Sequence, residues 1–242
     1  MKTLAYLLFL LPFLPLSSSA QIISKDGVNL KEKQQKSPAY AFIAFNQTNS
    51  FRLLSENKEF ITIPLGKSAD ETPLNVWSYG LGINAALARF LRFEGGISYL
   101  QTGEQYSFQE DMGGDSTFAY QNKYRYFAMP CQVKFEYGKK LRFSFGVGIM
   151  PQLFNAYRQD QQWTTYLGGK NDNTIKSNTT CNTFGLSLIG STGLHYVSQK
   201  TWGIFIQMTY REQLTNTFTR YGDYVHKSKG LGYTIGISKN IE

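Results

Sequence analysis

Across most of the chain, apolar and polar residues alternate with a period of two, the mark of strands with two unlike faces. The clearest segment is 125–137. Its odd positions are Phe127, Met129, Cys131, Val133, Phe135 and Tyr137, and its even positions are Tyr126, Ala128, Pro130, Gln132, Lys134 and Glu136. The pattern recurs in 141–153, 183–197, 202–212 and 230–241, and earlier in 77–87 and 91–101. A weaker segment, 39–53, completes a set of eight. Three connections are a few residues long, around 88–90, 138–140 and 198–201. The others, about 55–75, 105–123, 159–181 and 214–227, are long, polar and rich in Asn, Asp, Gly, Thr and Gln. An even number of antiparallel strands of about ten residues, with short turns at one end and long loops at the other, predicts an all-β fold. The specific expectation is an eight-stranded antiparallel transmembrane β-barrel.

The composition of the two faces decides between a membrane barrel and a soluble one. One face carries Phe, Leu, Ile, Trp and Tyr at nearly every position, and the other carries Gly, Ser, Thr and Gln with a few charges. An eight-stranded barrel has an interior just wide enough to fill with side chains. A soluble barrel would turn the apolar face inward, whereas small residues and compensating charges suit the narrow polar lumen of a membrane barrel. The charges expected to form a lumen polar network are Arg92, Glu94, Lys134, Glu136, Arg142 and Arg211. Trp77, Tyr79, Tyr99, Tyr124 and Tyr210 near the long-loop ends, and Phe90, Tyr137, Tyr196 and Trp202 near the short turns, are expected to form two interfacial girdles.

The chain has 242 residues, of which 18 are Phe, 16 Tyr and 3 Trp, far more apolar surface than a disordered chain carries. No run beyond the first twenty residues approaches the roughly 18 apolar residues of a spanning helix. Those first twenty (MKTLAYLLFLLPFLPLSSSA) have the cationic start, apolar centre and small-residue end of a signal peptide, with cleavage expected before Gln21. Residues 21–36 are polar and aperiodic and are expected to be a flexible periplasmic segment, leaving 37–242 as the barrel domain. The net charge of +8 is spread along the chain, without the basic block of a nucleic-acid groove, so no nucleic-acid partner is expected. Cys131, outward in a strand, and Cys181, at the end of a long loop, are not expected to pair.

Against this frame the chain resembles the small outer-membrane β-barrel domain proteins that include the PorT-like barrels. The residues that carry the resemblance are YRYFAMPCQVKFEYG at 124–138, LRFSFGVGIMPQL at 141–153 and KGLGYTIGIS at 229–238. The resemblance implies an integral barrel of the Gram-negative outer membrane with a periplasmic N-terminus, and an accessory role in protein secretion.

Chemistry is sparse. A barrel hydrolase acting on lipid needs a nucleophile, a His and an acid within hydrogen-bond reach. His195 has inward parity, with Ser187 and Ser191 on its own strand, and His226 lies near Asp223 in the last outer loop; a polar lumen His and a solvated loop His are the expected roles. Glu110, Asp111 and Asp115 lack the ligand spacing of a calcium loop. The expectation is therefore a non-enzymatic barrel with no catalytic residues, no metal and no cofactor, acting through its outer loops. Trp163 and Tyr166 in the third long loop are the candidate contacts for a glycan or protein. The partners expected are outer-membrane lipid and lipopolysaccharide, with other envelope or secretion proteins as the alternative to a solitary surface role.

Overall fold

A computed structural model describes residues 39–56, 70–109, 117–165, 167–177, 180–198, 201–219 and 224–241. The strands in chain order are β1 (Ala39–Glu56), β2 (Thr72–Ala86), β3 (Leu91–Gln109), β4 (Thr117–Ala128), β5 (Cys131–Gly138), β6 (Leu141–Thr164), β7 (Lys170–Lys176), β8 (Phe184–Val197), β9 (Trp202–Gln213) and β10 (Tyr224–Ile241). The expected signal peptide and the segment 21–36 lie outside the described residues.

Sequential antiparallel pairing closes the sheet into a ring, because β1 pairs with β2 on one side and with β10 on the other. β4 and β5 act as one barrel strand. The interruption falls at Met129 and Pro130, where proline has no N–H to give the ladder. The register runs through it unbroken, from Ser98↔Ala128 to Gly95↔Cys131. The Gly96 and Met129 amides donate across the gap to Pro130 and Pro151. β7 stands outside the ring, as a hairpin partner of the outer half of β6. The ring thus has eight members, as the alternation predicts.

The apolar face points outward. Leu81, Phe145, Ile206, Tyr233 and their strand neighbours are about half exposed, while the opposite positions, Asn84, Lys134, Ser191 and Thr234 among them, are buried. A belt of exposed Leu, Ile, Val and Phe around a closed sheet is stable only against lipid, where closure leaves no unpaired strand edge. Trp77, Tyr79, Tyr210, Phe90, Tyr137, Tyr196 and Trp202 all lie on this outer surface. Tyr124 does not: it is 1% exposed and turned into the lumen, so its assignment to the outer girdle is corrected. It shares the even parity of the inward-facing Tyr126 and Ala128.

The long polar connections are shorter than the alternation suggests, because β3, β4 and β6 continue well past the belt. Segment 159–181, expected to be loop, contains the end of β6 and all of β7. Trp163 is accordingly a strand residue, paired with Phe118 and Asn171. Outside the membrane both faces of a strand meet polar surroundings, so nothing enforces alternation there. A bulge adds to the difference: Arg125 pairs with Ala156 but Tyr126 with Phe154, leaving Asn155 as an extra residue on β6.

Candidate functional site

The inward side chains fill the lumen in three tiers. Near the short turns, Lys134 Nζ lies 2.7 Å from Glu94 Oε2 and 3.0 Å from Gln207 Oε1. Arg92 Nε and Arg142 Nη1 each lie 3.5 Å from Glu136 Oε2, and the Tyr40 hydroxyl donates to Glu136 at 2.7 Å. Asn84 joins the two halves, accepting from Arg92 and donating to Glu94. Five of the six expected network charges therefore meet in one tier. Rings close the space beside them. Phe42 meets Phe205 edge to face at 5.8 Å, His195 lies 4.9 Å from Tyr40, and the Arg92 guanidinium covers the Tyr40 ring. Gly82 and Gly236 make room for these rings, since a Cβ there would come within 2.7 Å of Phe42 and 2.2 Å of Phe205. The cavity left among Tyr40, Lys134, His195 and Phe205 is about 10 Å³, space for one water.

Arg211 stands apart from that network. Its guanidinium donates to Ser228 at 3.0 Å and reaches Ser187 at 3.5 Å, in a middle tier of Gln152, Gln213 and serines. Above it sits an apolar plug of Leu100, Tyr124, Tyr126, Met150, Cys181 and Ile189, with Phe154, Tyr157 and Phe218 packed against it. Cys181, in the connection that leads into β8, is turned inward. Both cysteines are free, and burial pushes the Cys181 thiol up to about 11, which keeps it a poor nucleophile.

The third tier lies above the lipid-facing belt. Glu104 accepts from Asn122 at 2.9 Å and from the Tyr124 hydroxyl at 3.0 Å, with Arg52 and His226 each 3.6 Å away. Arg52 also pairs with Glu71, which accepts from the Tyr120 hydroxyl. Glu71 precedes β2, outside the spanning segments. Burial pushes its carboxyl up from 4.5 to about 7, more than the Tyr120 hydrogen bond and the Arg52 charge bring it down. The expectation of a solvated loop His at 226 is corrected: β10 begins at Tyr224, so His226 is an inward strand residue, fully buried against Glu104. This tier was missed from sequence because Glu71 and Glu104 lie in stretches without alternation and Arg52 at the end of the weakest alternating segment, and only the fold joins them.

Among the described residues neither histidine has both a nucleophile and an acid within hydrogen-bond reach. His195 Nε2 contacts the Ser238 hydroxyl at 2.8 Å, not Ser187 or Ser191, and its Nδ1 has no hydrogen-bond partner among the described residues. His195, Ser238, His226 and Glu104 are all enclosed. No group of three or more His, Cys, Asp or Glu side chains among the described residues is arranged to hold a metal. Asp223, Tyr166 and the acidic trio Glu110, Asp111 and Asp115 lie outside the described residues.

On the outer surface, the ends of β4, β6 and β7 enclose a polar cleft of about 310 Å³ lined by Tyr120, Arg158, Asp160, Gln162, Asp172 and Thr174. Asp160 anchors it, accepting from Arg158 at 2.7 Å and from Thr174 at 3.0 Å. The hairpin tip beyond carries Leu167, 93% exposed.

No protein-family model matches the chain, and no curated protein matches it by sequence. Among solved structures the chain is similar to several outer-membrane proteins. OprG, an outer membrane protein of Pseudomonas aeruginosa, is 12% identical with a TM-score of 0.45, over 86% of this chain and 97% of that one. Neisserial surface protein A is 11% identical with a TM-score of 0.40, over 84% and 97%. Acinetobacter baumannii CarO is 10% identical with a TM-score of 0.35, over 82% and 97%.

Proposed function

We propose that this chain is an integral outer-membrane barrel that neither catalyses a reaction nor conducts solutes, and that it acts through the wall its strands raise above the membrane. The observation that carries this reading is the contrast between the two ends of the molecule. The lumen is filled tier upon tier by paired charges and rings, while the chemistry left open to a partner, the cleft and the Leu167 hairpin tip, is on the outer surface. Trp163 contributes as a strand residue that braces this hairpin.

The test is to cross-link intact cells through a cysteine placed at Asn173 in β7, solubilise the envelope mildly and identify what is recovered. A reproducible envelope partner that is lost on deleting residues 163–176 supports the reading. Recovery of secretion components would specify it as the accessory role that the PorT-like resemblance implies. Unchanged recovery after the deletion overturns the role of the hairpin. Solute flux through vesicles holding the folded protein overturns the closed lumen.

A further inference from the structure

The outer wall formed by β3, β4, β6 and β7 has an uneven charge distribution just above the belt. Tyr79, Tyr99, Phe127 and Leu153 form one continuous rung across adjacent strands, with Tyr79 stacked on Tyr99 at 5.2 Å and Tyr99 against Phe127 at 5.9 Å. Amphipathic rings in such a row sit at the boundary between acyl chains and headgroups. The next rung outward is Gln101, Arg125 and Ala156, and the one beyond it is Gly103, Lys123, Arg158 and Lys176. A rung is two residues, so at ordinary strand rise and barrel tilt these cations stand about 5 and 10 Å above the rings.

Four cations thus occupy two rungs at headgroup height. The nearest carboxylate among the described residues, Asp160, is one rung further out, 2.7 Å from Arg158 Nε and 3.6 Å from Lys123 Nζ. One carboxylate cannot neutralise four cations. Arg125 makes no ion pair among the described residues, and its Nε is buried without a hydrogen-bond partner. On β1 and β2 the outward positions above the Tyr79 rung are uncharged, with Trp77 opposite Gln47 and Asn75 opposite Asn49 and bonded to it. On β10 two further cations, Lys229 and Lys227, face outward one and two rungs above Leu231, but Lys229 is held by Glu212 at 3.0 Å, so among the described residues the densest under-neutralised cationic patch is on the β4–β6–β7 wall.

We infer that Arg125, Lys123 and Arg158 form a binding site for the phosphates of a phosphorylated glycolipid of the outer leaflet, whose acyl chains lie along Ile97, Tyr99, Phe127 and Val133. The inference rests on the outer-membrane reading above and adds the lipid class and its place on the barrel. Two guanidinium groups and an ammonium on two adjacent rungs give planar and point-charge donors to phosphate oxygens. The apolar surface below is continuous with them, so a single lipid satisfies both halves of the site. Asp160 holds the Arg158 side chain extended on the wall, and Thr174 braces Asp160 in turn.

The experiment uses the full folded protein in phosphatidylcholine nanodiscs, with bis-phosphorylated hexa-acyl lipid A as the probe and native mass spectrometry counting retained lipid. Insertion and the shift of the folded band on heating are read first, on the same samples; failure there counts against the membrane-barrel reading itself. Given insertion, the wild type is expected to retain lipid A at least ten-fold better than the same lipid stripped of its phosphates. Millimolar inorganic phosphate is expected not to displace it. The combination Lys123→Gln, Arg125→Gln and Arg158→Gln is expected to lose that preference. Removing the same charge at the other end, with Lys139→Gln, Lys140→Gln and Lys239→Gln, is expected to keep it. Equal retention of phosphate-free lipid, displacement by free phosphate, or an equal loss in both triple variants would overturn the site.

Discussion

At the residue scale the outer tier holds a carboxyl that titrates near neutrality. Glu71 is a carboxyl whose burial outweighs the Arg52 and Tyr120 contacts, so its folded value is about 7 against 4.5 for the free group. Between these values the folded state holds a proton that the unfolded chain has released, and stability therefore falls as pH rises across that window. The contribution is fully present below about pH 4.5 and gone above about pH 7. Chemical unfolding of the detergent-folded protein should show a midpoint that declines from pH 4.5 to 7 and then levels. Glu71→Gln should flatten that slope while leaving the folded band on gels intact. A slope of the same size in the variant would place the titrating group elsewhere.

At the scale of the element, the lipid-facing halves of the strands were legible in the sequence and their outer halves were not. Phe143, Phe145, Val147 and Ile149 on β6 are out because lipid admits nothing else there, and the period of two records that constraint directly. Beyond Leu153 the same strand carries Asn155, Arg158, Asp160 and Gln162, whose two faces both meet polar groups, so the pattern ends while the strand continues. Phe154 keeps the inward even parity of Met150 and Gln152 and packs on Tyr126, and the Asn155 bulge then shifts the parity so that Tyr157 turns inward against Tyr124. His226 had a usable signal, since it shares the even parity of the inward Thr234 and Ser238, but it fell before the alternation on β10 becomes clear. Deleting Asn155 should turn Tyr157 to the outer surface and break its hydrogen bond to Asn122 and its packing on Tyr124. A loss of about 2 to 4 kcal/mol is expected, on the scale of large-to-small changes in a core. Tyr157→Ala at the full strand length should cost a similar amount, and a deletion with no measurable effect would show that the parity shift is not what seats the plug.

At the scale of the whole molecule, the closed ring, the outward belt and the filled lumen make opposite demands on the two faces of every strand. Arginine is accommodated inside, where Arg92 and Arg142 share Glu136. The same side chain on the outside meets acyl chains with no partner, at a cost that depends on depth: about 2 to 4 kcal/mol at the bilayer midplane and about 0 to 1 kcal/mol near the interfaces. β9 provides the test within one strand, since Trp202, Ile204, Ile206, Met208 and Tyr210 all face outward and Ile206 is the middle one. Ile206→Arg should therefore lower the unfolding free energy in phospholipid vesicles by about 2 to 4 kcal/mol, and Tyr210→Arg, at the outer edge beside Glu212, by about 1 kcal/mol or less. In a soluble barrel the ranking would differ, because an arginine on an outward position gains water wherever it is placed. Equal and small effects at both positions would thus remove the bilayer from the account of this fold, and a graded loss centred on Ile206 places the midplane at the level of Ile206 and its cross-strand partners Leu194 and Ile235.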